Sequence, residues 1–129
     1  MTQEDKDLLL KDLCARLPYF TKVQIKNEIV VLNSICDDDG YHFNFIGDDM
    51  EGVNIEEIKP YLFPLSSMTE EQKEEFNSYF ASVPYYGDNI HIPYYFVESL
   101  IDFYNKHHLD WRGLIPKGLA NDATGLNIY

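Results

Sequence analysis

From Phe20 to Ile46 the apolar residues recur with a period of two, a pattern that points to strands and away from a helix. Val23 and Ile25 alternate with Lys22, Gln24 and Lys26. Ile29-Val-Val-Leu32 reads as a more fully buried strand that runs on through Ile35. Tyr41, Phe43 and Phe45 then alternate with His42 and Asn44. Between the last two runs stands Asp37-Asp-Asp-Gly40, and Asp-Gly is a strong hairpin signal because glycine accepts positive φ. The middle of the chain is therefore expected to form a three-stranded antiparallel meander, with a fourth short strand near Val53.

Both flanks change to helical spacing. Thr2 caps a first helix in which Leu10, Leu13, Cys14 and Leu17 fall at i, i+3, i+4 and i+7, Leu8 and Leu9 widen that stripe, and Pro18 stops the helix near Leu17. Cys14 lies in that stripe and reads as a small buried core residue rather than a reactive thiol. Asn54 is placed to cap one helical turn, Ile55 to Ile58, that Pro60 terminates, and the apolar Tyr61-Leu-Phe-Pro-Leu65 is expected to cross the sheet without regular structure. Ser67 with Glu70, or Thr69 with Gln72, forms a capping box for a helix from about Thr69 to Ala81, with Phe76, Tyr79 and Phe80 inside. Residues 82–92 read as a loop, and Pro93 opens a last helix whose buried stripe is Val97, Leu100, Ile101 and Tyr104. The simplest burial pairs this stripe with that of the first helix. In the tail, Trp111, Leu114, Ile115 and Leu119 are expected to pack back on the body, while the last five or six residues fray.

These elements give a single α+β domain over residues 1–129: an N-terminal helix, a small twisted antiparallel sheet and two C-terminal helices. A meander closed by one tight turn also suggests a Src-homology-like partial barrel, by analogy of fold alone. A length of 129 residues suffices to bury a real core.

Charge limits the partners. Residues 28–57 hold nine carboxylates (Glu28, Asp37, Asp38, Asp39, Asp48, Asp49, Glu51, Glu56, Glu57) and no Lys or Arg, against a whole-chain net charge of −12. Such a surface repels phosphate backbones and anionic membranes and attracts basic proteins or cations. An aromatic content of 15% argues against a disordered acidic tail. The acidic start without an apolar region, the lack of any run near the ~18 residues a span needs, and only two cysteines together predict a reduced cytoplasmic protein.

No catalytic or cofactor signature stands out. The acidic turn fails as a twelve-residue calcium loop, because aligning Gly40 with the glycine position puts Ile35 at the first ligand. A looser site from Asp37 or Asp39 with Asp48 and Asp49 is weaker than the reading of solvated turn carboxylates. His107 and His108, beside Asp110, diverge by about 100° on a helix and suit a helix C-terminus better than one metal ion. No metal or cofactor is expected. Tyr85 and Tyr86, between Pro84 and Gly87-Asp88-Asn89, are either interface rings or part of the core.

Three stretches carry a resemblance: Asp7-Leu-Leu-Leu-Lys-Asp-Leu-Cys-Ala-Arg-Leu-Pro-Tyr19, Ile55-Glu-Glu-Ile-Lys-Pro-Tyr-Leu-Phe-Pro-Leu-Ser-Ser-Met-Thr-Glu-Glu71 and Asp110-Trp-Arg-Gly-Leu-Ile-Pro-Lys-Gly-Leu-Ala120. Together they resemble a group of small acidic proteins encoded in gut Bacteroidales genomes and their mobile elements. The resemblance implies a bacterial cytoplasmic or phage-related setting. That group has no assigned activity, cofactor or catalytic residue, so no role transfers to a residue here.

The expected function is a non-enzymatic interaction module that presents Asp37, Asp38, Asp39, Asp48, Asp49 and Glu51, together with Tyr85 and Tyr86, to a basic protein surface, with no direct contact to nucleic acid or membrane. A nucleic-acid mimic is the alternative, although it needs carboxylates ordered in rows at the ~1.7 Å axial charge spacing of DNA. An enzyme with an unrecognised site is third.

Overall fold

The computed structural model describes residues 1–47, 50–81, 85–86, 89–90 and 94–129, with backbone alone at 85, 86, 89, 90 and 94. Its elements are α1 (Gln3–Ala15), β1 (Lys22–Ile25), β2 (Glu28–Asp37), β3 (Tyr41–Ile46), β4 (Ile58–Leu62), α2 (Glu70–Ala81), β5 (Tyr85–Tyr86), β6 (Asn89–Ile90), α3 (Tyr94–Lys106) and β7 (Asn121–Asp122). This is an α+β fold with a five-stranded mixed sheet in the order β3-β2-β1-β4-β7.

The meander forms as its alternation requires. β1 and β2 pair from Lys22↔Val31 to Ile25↔Glu28, and β2 pairs with β3 from Val31↔Ile46 to Asp37↔Tyr41. The Asp-Gly turn joins the second pair, with Asp39 at φ 53° and Gly40 at φ 112°, the left-handed region that glycine accepts without strain. One irregularity interrupts the alternation, a register shift between Leu32 and Ser34.

The fourth strand lies at Ile58–Leu62 and not near Val53, so the first two residues of the stretch expected to be irregular, Tyr61 and Leu62, belong to β4. Only Ile55–Glu57 form the helical turn, braced by the Asn54 N–H donating to the Glu57 carboxylate at 2.9 Å. In sequence Pro60 reads as the stop of the preceding helical turn, and proline is rare inside a strand. Here it pairs with Val23 on β1, while β7 reaches only Tyr61 and Leu62 on the other side. The missing N–H can therefore face the unpaired side and disturb no rung. Among the described residues the sheet is open, with β3 and β7 as its edges.

α1 begins at Thr2, whose Oγ1 accepts from the Asp5 N–H at 3.1 Å. Its buried face is Leu9, Asp12, Leu13 and Arg16, so the expected stripe is rotated by about one residue. Leu10 and Leu17 are half-buried and Cys14 is exposed, not core. Partial burial nevertheless pushes the Cys14 thiol above its ordinary pKa, which disfavours a reactive thiolate. The rotation was hidden because two of the buried positions carry charge: Arg16 Nε meets Asp12 Oδ2 at 2.8 Å, with both side chains fully buried.

α1 does not pair with α3. Leu9 and Leu13 pack with Val23, Ile25, Leu32, Phe43, Phe45, Ile58 and Leu62 of the sheet, and the tail residues Leu114, Leu119 and Ala120 complete that core. α3 packs against α2 through rings instead: Phe76 lies 6.0 Å and Tyr79 5.9 Å from Phe103, and Phe80 lies 5.2 Å from Phe96. α2 starts at the reciprocal Thr69–Gln72 capping box, with bonds of 3.0 and 3.1 Å, but buries no residue fully. On α3 the buried positions among the described side chains are Phe96, Phe103 and Asn105, while Val97 is exposed.

The chain end is anchored and does not fray. The Tyr129 hydroxyl accepts from the Lys22 N–H at 2.9 Å and donates to the Tyr61 carbonyl at 2.8 Å. It thus bridges β1 and β4 one residue beyond their Val23↔Pro60 rung. The Tyr129 ring stacks on His108 at 3.8 Å.

Candidate interaction surface

The hairpin puts β3 at the sheet edge, and among the described residues no strand pairs with its outer side. In an antiparallel pair, alternate residues turn their N–H and C=O groups away from the partner, so one set on β3 faces outward. Along the edge, Tyr41–Asn44 and the segment Met50–Asn54 wall a groove of about 490 Å³. A second hollow of about 410 Å³, lined by Lys6, Asn54, Ile55 and Glu56, shares the Tyr41 and Phe43 wall. Tyr41 is 53% exposed at this rim, and Ile46 at the other end of the strand is 48% exposed.

Carboxylates stand around this edge. Asp37, Asp38 and Asp39 are exposed at one end of β3, and Glu51 is exposed on the opposite wall. Glu56 is drawn off by Lys6 at 2.6 Å, and that hydrogen bond holds its carboxyl below the usual range. The Glu57 carboxylate braces Asn54. His42 Nε2 lies 2.8 Å from the Asp38 carbonyl, which ties the turn to the strand. Asp48 and Asp49 lie outside the described residues.

The Tyr85–Tyr86 segment is not plain loop. Its backbone pairs antiparallel with Asn89–Ile90, in the register Tyr85↔Ile90 and Tyr86↔Asn89. The rings of Tyr85 and Tyr86, and so the choice between interface and core, lie outside the described residues.

The other candidate chemistry is dispersed. His107 Nε2 meets Glu75 Oε2 at 2.8 Å, where Lys106 holds Oε1 at 2.6 Å. The Lys106 hydrogen bond is the main cause of a lowered Glu75 carboxyl pKa. His108 turns instead to Tyr129, and the Asp110 carboxylate accepts the Leu114 and Ile115 N–H groups at 2.7 and 2.9 Å. His107, His108 and Asp110, close in sequence, thus serve three separate joints. Burial, with the charges of Arg16, His107 and Lys22, lowers the His108 pKa to about 4.

Sequence reasoning missed the joint between α1 and the tail. Asp12 is shared by Arg16 and by Arg112, whose Nε lies 3.3 Å from Oδ1, and Arg16 Nη2 donates to the Leu109 carbonyl at 2.7 Å. Arg112 in turn lies over the Trp111 ring at 4.1 Å. The i, i+4 spacing of Asp12 and Arg16 was the available signal.

No protein-family model, curated protein or solved structure matches the chain.

Proposed function

We propose that this chain is a non-enzymatic interaction module that offers an acidic sheet edge to a basic protein surface, with the Tyr85–Tyr86 hairpin as a second contact. The observation that carries this reading is the position of β3. Among the described residues it is an unpaired edge strand lining a groove, with the Asp37–Asp39 turn at one end and Glu51 on the facing wall. Opposite charge raises encounter rates and rejects acidic competitors, while groove shape and backbone groups supply specificity. A second copy fits this edge poorly. Its own edge belongs to the block 28–57, which carries nine carboxylates and no base, so like charges would be brought together.

The test is affinity capture from bacterial lysate by the wild-type chain and by the variant Asp37→Asn, Asp38→Asn, Asp39→Asn, Glu51→Gln, with mass spectrometric identification. The reading expects basic proteins that the wild type retains at low salt and releases at high salt, and that the variant fails to retain while melting at a similar temperature. Equal capture by both chains, or retention of acidic proteins, contradicts it.

A further inference from the structure

We propose that the basic partner binds as an added β-strand: an extended segment, alternating basic and apolar side chains, pairs its backbone with the outer edge of β3 in the groove between Tyr41–Asn44 and Met50–Asn54. This inference rests on the reading of the surface as a dock for a basic partner, and it adds the mode of binding and the shape of the occupant.

A free strand edge is a row of backbone donors and acceptors that water satisfies only until another strand arrives. β3 has six residues, an edge of about 20 Å at the usual strand rise, enough for a short peptide. Proteins that blunt an edge do so with covering loops or inward charges. Here the neighbouring segment Met50–Asn54 leaves a groove along the edge, with β3 itself as one wall. Charge chooses the occupant: exposed Asp37, Asp38 and Asp39 stand at one end of the strand and Glu51 on the facing wall, in a block without a base, so a basic segment is drawn in and a second copy of this chain is repelled. Alternation follows from strand geometry, because successive side chains of an added strand point to opposite faces. On the outer face of the sheet, Ile46 pairs across from Val31, and Ile46 and Ile29 are about half exposed, which suits an apolar set of side chains there.

The experiment uses the acetylated, amidated peptide Lys-Val-Lys-Val-Lys-Val and two isomers, one N-methylated at the three Val residues and the other at the three Lys residues. All three carry the same charge, but a strand hydrogen-bonds to one neighbour through alternate residues only. Titration into the full chain at low salt should show one isomer binding within about threefold of the parent and the other weaker by about tenfold or more, the effect of losing several net hydrogen bonds. In the parent complex, hydrogen exchange should slow at alternate amides of Tyr41–Ile46. Salt-sensitive binding with equal affinity for both isomers would overturn strand addition while leaving the acidic dock intact. Failure of all three peptides to bind, or binding indifferent to salt, would overturn both.

Discussion

The buried pair Asp12–Arg16 fixes α1 to the tail, and its removal should be among the costliest single changes in the molecule. Both side chains are fully buried, and Asp12 receives Arg16 through two contacts of 2.8 and 3.2 Å. Arg112, nearly buried, lies 3.3 Å from the same carboxylate. Asp12→Ala leaves two guanidinium groups close together with no counter-charge, so the loss should be about 3–5 kcal/mol, as for other broken buried pairs. Asp12→Leu with Arg16→Met removes the charges together and should cost less than the single change, because no naked charge remains at Arg16. The double variant still loses the Arg16 bond to the Leu109 carbonyl at 2.7 Å and leaves Arg112 without its partner, so it should stay below wild type. Urea unfolding with linear extrapolation measures each variant, and an unchanged slope would show that only native stability moved. A loss under about 1 kcal/mol for Asp12→Ala, or a loss in the double variant equal to the sum of those measured for Asp12→Leu and Arg16→Met alone, would refute the coupling argued from burial.

Tyr129→Phe keeps the stack on His108 but deletes the hydroxyl that links Lys22 and Tyr61. Equilibrium unfolding should show a loss of about 1–2 kcal/mol, reduced because the site is partly open to water. His108 has a folded pKa of about 4 against an ordinary 6.5, so the unfolded chain binds its proton first as pH falls. Stability from this group is complete above pH 6.5 and should fall by about 2–3 kcal/mol toward pH 4, a window that His108→Phe should flatten in a urea–pH series. Asp38→Asn, in an exposed run of three Asp, should be neutral or slightly stabilising by melting. A loss above ~2 kcal/mol, or stabilisation of the wild type by calcium, would show instead that the turn coordinates a cation.

The elements with strong local signals were legible in the sequence. Period-two alternation placed β1 to β3, Asp-Gly set the hairpin, and the Thr69–Gln72 spacing opened α2. What failed was whatever depended on partners distant in the chain. Pro60 reads as a breaker until β1 is seen pairing on one side of it while β7 pairs only with Tyr61 and Leu62 on the other. The α1 stripe was misphased because a buried ion pair looks polar in sequence, and Asp12 and Arg16 make sense only beside Leu109 and Arg112. Tyr129 reads in sequence as part of a fraying end because its partners, Lys22 and Tyr61, lie 107 and 68 residues away. For the candidate site, the sequence located the charge, whereas the groove depends on β3 being the outermost strand. Strand order is long-range information that alternation does not carry.

The most direct measurement is a nitrogen–proton correlation spectrum of the isotopically labelled chain, titrated with the Lys-Val hexapeptide at low and then at high salt. The acidic-edge account predicts shifts concentrated in residues 37–46 and 50–54, reversed by salt, with little change in α2 and α3. Shifts centred on the helices, or spread evenly over the chain and indifferent to salt, would contradict it.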